Sequence, residues 1–120
     1  MSECGVLLAK VTQCKEKGKV HFIGIETGMN SLLRPALYGA YHEIVNLSRL
    51  KSKKLELAQV VGPICESGDV LGVSRLLPVS KENDIILIAN TGAYGHVMGS
   101  SYNLRRPAEE RVLNTQYPQR

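Results

Sequence analysis

The sequence predicts a mainly β domain, a barrel or sandwich with Greek-key-like strand order and one or two short helices. Three observations support this fold class. Apolar runs of strand length recur along the chain, turn-forming residues bound them, and no amphipathic segment is long enough for a dominant helix. With 120 residues, the chain is expected to form a single domain over residues 1–120.

The first two strands are predicted to form an antiparallel hairpin. Val6 to Gln13 and Val20 to Ile25 are rich in β-branched and other apolar residues. The segment Lys15 to Lys19 between them is polar and contains a glycine. Two such runs joined by a short glycine-bearing link are typical of a hairpin.

Three further strands are predicted in the second half of the chain, at Leu57 to Val61, Val70 to Leu77 and Ile85 to Ala89. The middle stretch, Leu32 to Val45, fits neither the helical nor the strand period well, and Pro35 interrupts it. The type of element there is therefore left open.

The charge balance does not indicate a nucleic-acid-binding protein. The chain has 15 Lys and Arg against 11 Asp and Glu, which gives a net charge of +4. These basic residues are spread along the sequence, and only Phe22 and five tyrosines could stack on bases. A basic balance of this size is typical of an ordinary solvated surface.

The cysteines and histidines indicate neither a disulfide framework nor a metal site. Cys4, Cys14 and Cys65 are odd in number and lack CxxC spacing, which favours a reducing, cytoplasmic location. His42 and His96 are predicted to be structural or surface residues, because no partner stands at metal-ligand spacing. The N-terminus has only a short apolar run, so neither a signal peptide nor a membrane span is expected.

Three glycine-containing segments stand at predicted strand ends, where a rigid sheet can hold reactive side chains. At their glycines the chain must turn sharply or a ligand can approach the backbone. The segments are GMNSLLRPALYGAYHE, GPICESGD and NTGAYGHVMGSSYN.

Cys65 is the candidate chemical centre of the second segment. Glu66 follows it directly and Asp69 lies nearby, so the thiol could serve as nucleophile, proton donor or metal ligand. Adjacent carboxylates discourage a thiolate, which favours a proton donor. No histidine lies in this loop, which disfavours a cysteine protease and a small cysteine enzyme acting alone. The alternative is a small buried apolar residue.

Arg34 and Tyr38, four residues apart, offer a guanidinium fork beside a phenol, a pair suited to binding a carboxylate or phosphate. The alternative is a structural Arg34 paired with Glu43 or with the backbone. Tyr94, within GAYG, could donate a hydrogen bond to a phosphate that approaches the glycine backbone.

Together the three segments resemble the C-terminal domain of meso-diaminopimelate decarboxylase, a pyridoxal-phosphate enzyme of the alanine racemase and ornithine decarboxylase-like fold type III. They stand in that family's order and spacing, and the resemblance runs from about Glu3 to Glu109. SECGVLLAKV and the first segment also resemble the decarboxylase half of fused aspartokinase and decarboxylase proteins.

The resemblance implies an enzyme that converts meso-2,6-diaminopimelate to L-lysine and CO₂. Arg34 and Tyr38 would hold the distal carboxylate, and Tyr94 would contact cofactor and substrate of the same subunit. Across a homodimer interface, Cys65 would protonate the carbanion left by CO₂ loss, and Glu66 would receive the distal ammonium group. The cofactor lysine belongs to an N-terminal (β/α)₈ barrel that is not in these 120 residues, so the chain alone is expected to be inactive.

One segment departs from the family pattern. The chain has NLRRPAEERVL from Asn103, where the family usually has an NxRPRPAEV-like sequence, which puts the contacts made there in question. Two alternatives stay open. One is a decarboxylase for ornithine, arginine or carboxynorspermidine, although ornithine-type members typically have Asp where this chain has Glu66. The other is a non-catalytic β domain for dimerisation or binding.

Overall fold

The computed structural model describes residues 4–64 and 67–113, which form one curled six-stranded β-sheet. The strands are β1 (Leu7–Lys17), β2 (Val20–Ile25), β3 (Ile44–Asn46), β4 (Leu55–Val61), β5 (Val70–Pro78) and β6 (Ile85–Ile88). The described residues also form one short α-helix, α1 (Arg34–Tyr38), and three single-turn 3₁₀ helices at Leu47–Arg49, His96–Met98 and Tyr102–Leu104. The order of the strands in the sheet is β3-β6-β1-β2-β4-β5. The β2–β4 pair is parallel and the other neighbours are antiparallel. The predicted mainly β fold class is confirmed.

The sheet curls until its edge strands β3 and β5 meet. A Cβ atom added to Gly72 of β5 would lie 2.6 Å from Cδ1 of Ile44 in β3, so the two edge strands approach closely at this glycine. Beside it, Nη1 of Arg75 donates to the backbone carbonyl of His42 over 2.7 Å. The two edges therefore protect each other, and the sheet is barrel-like.

The core is built from the inward-facing side chains of the strands. Along β6, Ile86 and Ile88 are fully buried, whereas the alternate residues Ile85 and Leu87 are half-buried, as the two-residue period of a strand requires. The buried apolar cluster consists of Ala9, Val11, Ile23, Ile25, Leu32, Ile44, Ala58, Val60, Leu71, Leu77, Ile86 and Ile88.

The predicted hairpin of β1 and β2 is confirmed, but β1 is longer than predicted. It continues to Lys17, and the reversal needs only Gly18 and Lys19, with Gly18 at φ 64°. Residues 12–20 are exposed, so this end of the hairpin carries polar side chains on both faces. Without a buried face it shows no apolar alternation, and the sequence-based prediction ended the strand early.

The three later strands are confirmed to within two residues at each end. Both α1 and β3 lie in the middle stretch where the type of element was left open. Pro35 does not interrupt this region, because it occupies the first turn of α1, where a missing amide is harmless. Gly39, at φ 66°, then ends the helix. Within the described residues, no helix is long and apolar enough to cross a membrane.

Candidate functional site

The three glycine-containing segments meet, as their positions at strand ends suggest. The amide of Met29 in the first segment donates to Oδ1 of Asp69 in the second over 2.7 Å. The carbonyl of Asn30 accepts from the amide of Ser100, in the third segment, over 2.8 Å. The first segment, which follows β2, therefore contacts both of the others.

The carboxylate of Asp69 binds backbone amides of both the first and the second segment. Oδ1 accepts from Met29, and Oδ2 accepts from the buried amide of Ile64 over 2.9 Å. A Cβ atom at Gly28 or Gly62 would lie 2.3 or 2.4 Å from these oxygens, so both positions require glycine. A sharp turn or an approaching ligand was expected at these glycines, and the carboxylate of Asp69 occupies the space beside them. Its role in the described structure is architectural.

Asn30 and Ser31 hold the divergent C-terminal segment through its backbone. Nδ2 of Asn30 donates to the carbonyls of Arg105 and Arg106 over 3.3 and 3.0 Å. Oγ of Ser31 accepts from the amide of Ala108 over 2.7 Å. Because main-chain groups make these contacts, the departure from the family sequence after Asn103 leaves them intact.

Arg34, at the start of α1, is the charged centre of the described site. Its half-buried guanidinium contacts Nε2 of His42 over 3.4 Å, and Nδ1 of His42 contacts the carbonyl of Ala89 over 2.9 Å. No described carboxylate forms an ion pair with Arg34. The alternative pairing with Glu43 is wrong in the described structure, since Oε1 of Glu43 accepts from the hydroxyl of Tyr41 over 3.0 Å.

Two tyrosines predicted to touch ligand are open to solvent. Tyr38 lies one helical turn after Arg34 and is 65% exposed, and Tyr94 is also 65% exposed. Neither hydroxyl makes a hydrogen bond to another described residue. Tyr94 has φ 59°, and a Cβ atom at the following Gly95 would lie 2.2 Å from the carbonyl oxygen of Thr91. This glycine is therefore needed for the loop to fold on itself.

Cys65 and Glu66, the predicted proton donor and ammonium-binding residue, lie outside the described residues. The structure does describe Ile64, which precedes them in the chain, and Asp69, which follows them. Ile64 is 1% exposed, and Asp69 is 3% exposed and bonded to the Ile64 amide. The side-chain amide of Asn103 also donates to the carbonyl of Ile64. The described neighbours Ile64 and Asp69 are thus both buried and hydrogen-bonded.

Sequence reasoning missed the roles of His42 and Asn30. His42 was predicted to be a structural or surface residue and is buried, but its contact with Arg34 depends on the turn at Gly39, which no period in the sequence revealed. Asn30 gave no local signal either, because its Oδ1 accepts from the amide of Gly28, two residues before it, whereas the turn that Asn commonly forms uses an amide two residues after it.

The structure is a barrel-like β domain whose loops present a guanidinium without a described carboxylate partner and two exposed phenols. Residues 1–92 match the family model of the pyridoxal-dependent decarboxylase, C-terminal sheet domain. The chain belongs to this family.

Three similar proteins are diaminopimelate decarboxylases. The diaminopimelate decarboxylase of Aquifex aeolicus is 42% identical over 115 residues, which are 95% of this chain and 27% of the relative. That of Archaeoglobus fulgidus is 45% identical over 109 residues, 91% of this chain and 26% of the relative. The crystal structure of the M. jannaschii enzyme in co-complex with L-lysine matches with a TM-score of 0.83 and 39% identity, over 88% of this chain and 24% of that one. The chain spans about a quarter of the length of these relatives.

The described residues suit a contact to pyridoxal phosphate but not its covalent attachment. Each lysine of the chain is exposed, and none lies in the three segments that form the site. A phenol with a free hydroxyl, as on Tyr94, is a suitable hydrogen-bond donor to a phosphate. The residues therefore fit one side of a cofactor site whose lysine lies elsewhere.

Proposed function

We propose that this chain is the C-terminal part of a cytoplasmic diaminopimelate decarboxylase, and that it completes a site converting meso-2,6-diaminopimelate to L-lysine and CO₂. The observation that carries the proposal is the half-buried guanidinium of Arg34, which lacks a carboxylate partner among the described residues. A partly buried cation is stabilised by an anion, and the distal carboxylate of this substrate is a matching one.

The roles of the side chains follow from their chemistry. Arg34 and Tyr38 hold the distal carboxylate, while Glu66 accepts the distal ammonium group, so the zwitterionic end of the substrate meets one cation and one anion. Tyr94 contacts cofactor and substrate. Cys65 donates a proton to the carbon that loses CO₂. Pyridoxal phosphate, when bound, withdraws the electrons that the departing CO₂ leaves behind.

The remaining parts of the site come from outside these residues. An N-terminal (β/α)₈ barrel supplies the cofactor lysine, since no lysine lies in the site segments described above. Cys65 and Glu66 act across the interface of a homodimer. The 120-residue chain by itself is therefore inactive, and its own contribution is binding, orientation and one proton.

A chimera tests this function. Residues 1–120 replace the matching C-terminal part of the Aquifex aeolicus relative, and CO₂ release is measured with meso-diaminopimelate and with ornithine. The proposal expects decarboxylation of diaminopimelate in preference to ornithine. A chimera that favours ornithine indicates the related decarboxylases. A folded, cofactor-loaded chimera that releases no CO₂ from either compound indicates a domain for binding or dimerisation only.

Arg34→Ala in the same chimera tests whether the guanidinium of Arg34 binds the substrate. Loss of a charge-assisted hydrogen bond, worth about 1.5 to 3 kcal/mol, should raise KM for diaminopimelate about 10- to 150-fold. The control is Arg111→Ala, whose guanidinium is 78% exposed and pairs with Glu109. An unchanged KM in Arg34→Ala would remove Arg34 from substrate binding.

A further inference from the structure

We infer that His42 is a positioning residue, which acts as a neutral imidazole to hold the guanidinium of Arg34 in its substrate-binding orientation. The inference rests on the proposed function, because it assigns His42 to the carboxylate-binding side of the same site. His42 is 1% exposed, so it can reach substrate only through Arg34.

The path of the chain brings the two side chains together. Arg34 opens α1, and the helix ends after one turn at Gly39, whose left-handed conformation sends the chain back. The amide of Ala40 then donates to the carbonyl of Arg34 over 3.3 Å. His42 consequently returns to the beginning of the helix, where its ring meets the guanidinium.

His42 itself is held from two sides. Its Nδ1 lies 2.9 Å from the carbonyl oxygen of Ala89, just after β6, and its own carbonyl accepts from Arg75 of β5 over 2.7 Å. Arg75 is held in turn by the ring of Tyr41, whose centroid lies 3.9 Å from its guanidinium carbon. The imidazole is therefore fixed to the closed part of the barrel.

The partners of the ring determine its tautomer. A carbonyl oxygen can only accept, so Nδ1 must carry the proton. A guanidinium can only donate, so Nε2 must present its lone pair. A single neutral tautomer satisfies both contacts, and only that form can hold Arg34.

The consequence for binding is preorganisation. An arginine side chain has several rotatable bonds, and fixing them before the ligand arrives removes part of the entropy loss of binding. The contact is long at 3.4 Å and leaves the other guanidinium nitrogens of Arg34 available to a carboxylate. Loss of His42 should therefore weaken substrate binding less than loss of Arg34 itself.

Two substitutions in the chimera separate the two ring contacts. His42→Asn places an amide where Nδ1 was, so the bond to Ala89 can remain while the contact with Arg34 is lost. His42→Gln places an amide oxygen near the position of Nε2, where Arg34 can still donate to it. The expected KM for diaminopimelate rises about 3- to 10-fold in His42→Asn and less than about 2-fold in His42→Gln, with kcat nearly unchanged in both.

A double-mutant cycle separates positioning from general packing. In the Arg34→Ala background, His42→Asn should change KM less than about 2-fold, because its effect passes through Arg34. If His42→Asn raised KM equally in the presence of Arg34 and in the Arg34→Ala background, the inference would be overturned. An unchanged KM in His42→Asn alone would also overturn it. His21→Asn, on β2 beside Glu56, is the control and should leave KM within about 2-fold.

A measurement on the unsubstituted chimera covers the case in which the variants do not fold. Nitrogen-15 spectra of labelled histidine at pH 8 should report His42 with its proton on Nδ1. A proton on Nε2 would overturn the inference. Failure of the proposed function is distinguishable, since the unsubstituted chimera would then not decarboxylate diaminopimelate, whatever the state of His42.

Discussion

Replacing Asp69 by alanine should release the loop that carries Cys65 and Glu66. The carboxylate accepts from the amides of Met29 and Ile64 over 2.7 and 2.9 Å, and it is 3% exposed. Alanine can accept neither bond. Both amides then lose their partner in a place with little access for water.

The expected loss of stability follows from these two bonds. A hydrogen bond to a charged group contributes about 1.5 to 3 kcal/mol, so two of them give about 3 to 6 kcal/mol. Asp69→Asn should lose about half as much, since one oxygen remains but the new NH₂ group faces an amide donor. The free energy of unfolding of a small domain is only about 5 to 15 kcal/mol, so either change should be conspicuous.

Urea unfolding of the 120-residue chain, followed by circular dichroism, measures the effect. The urea concentration at the unfolding midpoint should fall in the order unsubstituted, Asp69→Asn, Asp69→Ala. The slope of the free energy of unfolding against urea concentration should stay the same. Glu82→Ala, at an exposed acidic residue, is the control and should shift the free energy by less than about 0.5 kcal/mol. A loss below about 1 kcal/mol in Asp69→Ala would refute the assigned role.

Two other substitutions test the packing and the acid sensitivity of the fold. Gly62→Ala should lose about 1 to 3 kcal/mol in the same assay, because its Cβ would lie 2.4 Å from Oδ2 of Asp69, whereas Gly68→Ala meets no atom within 4 Å. Equal stability of these two variants would contradict the steric argument. Burial raises the pKa of Asp84. Hydrogen bonds from Arg49, the Lys81 amide and Asn46 lower that pKa by more than burial raises it, so the net pKa is below its usual value. The carboxylate therefore stabilises the fold above the unfolded pKa of about 4, and that contribution disappears as pH falls through the folded pKa. Asp84→Asn should reduce stability at pH 7 and lessen its decline between pH 5 and 2, and parallel pH profiles would contradict this.

The sequence predicted strands best where one face of the strand is buried. Residues Ile85 to Ala89 and Leu57 to Val61 carry that pattern, and the structure places strands there. The outer part of β1 has no buried face, and β3 is only three residues long, so neither produced a usable period. Pro35 was misinterpreted because proline disfavours helix interiors but suits the first turn.

The candidate site was predictable in its segments but not in its internal bonds. Strand ends and glycines located the three loops that meet in the structure. The glycines, however, were explained by sharp turns or an approaching ligand, whereas Gly28 and Gly62 make room for Asp69. The bond from Met29 to Asp69 joins residues 40 positions apart, and His42 contacts Ala89 across 47 positions. Such long-range contacts follow from the closed sheet, which local patterns do not encode.

Residues 105–108 bind to Asn30 and Ser31 as a short peptide ligand would, except that they are covalently linked to the domain. Two amide-to-carbonyl bonds and one to a hydroxyl would bind a free peptide weakly, but the intervening chain keeps its local concentration high. A single proteolytic cut between Tyr94 and Ser100 would remove that advantage. The segment would then exchange with solvent or with an added peptide, even though none of its contacting atoms had changed.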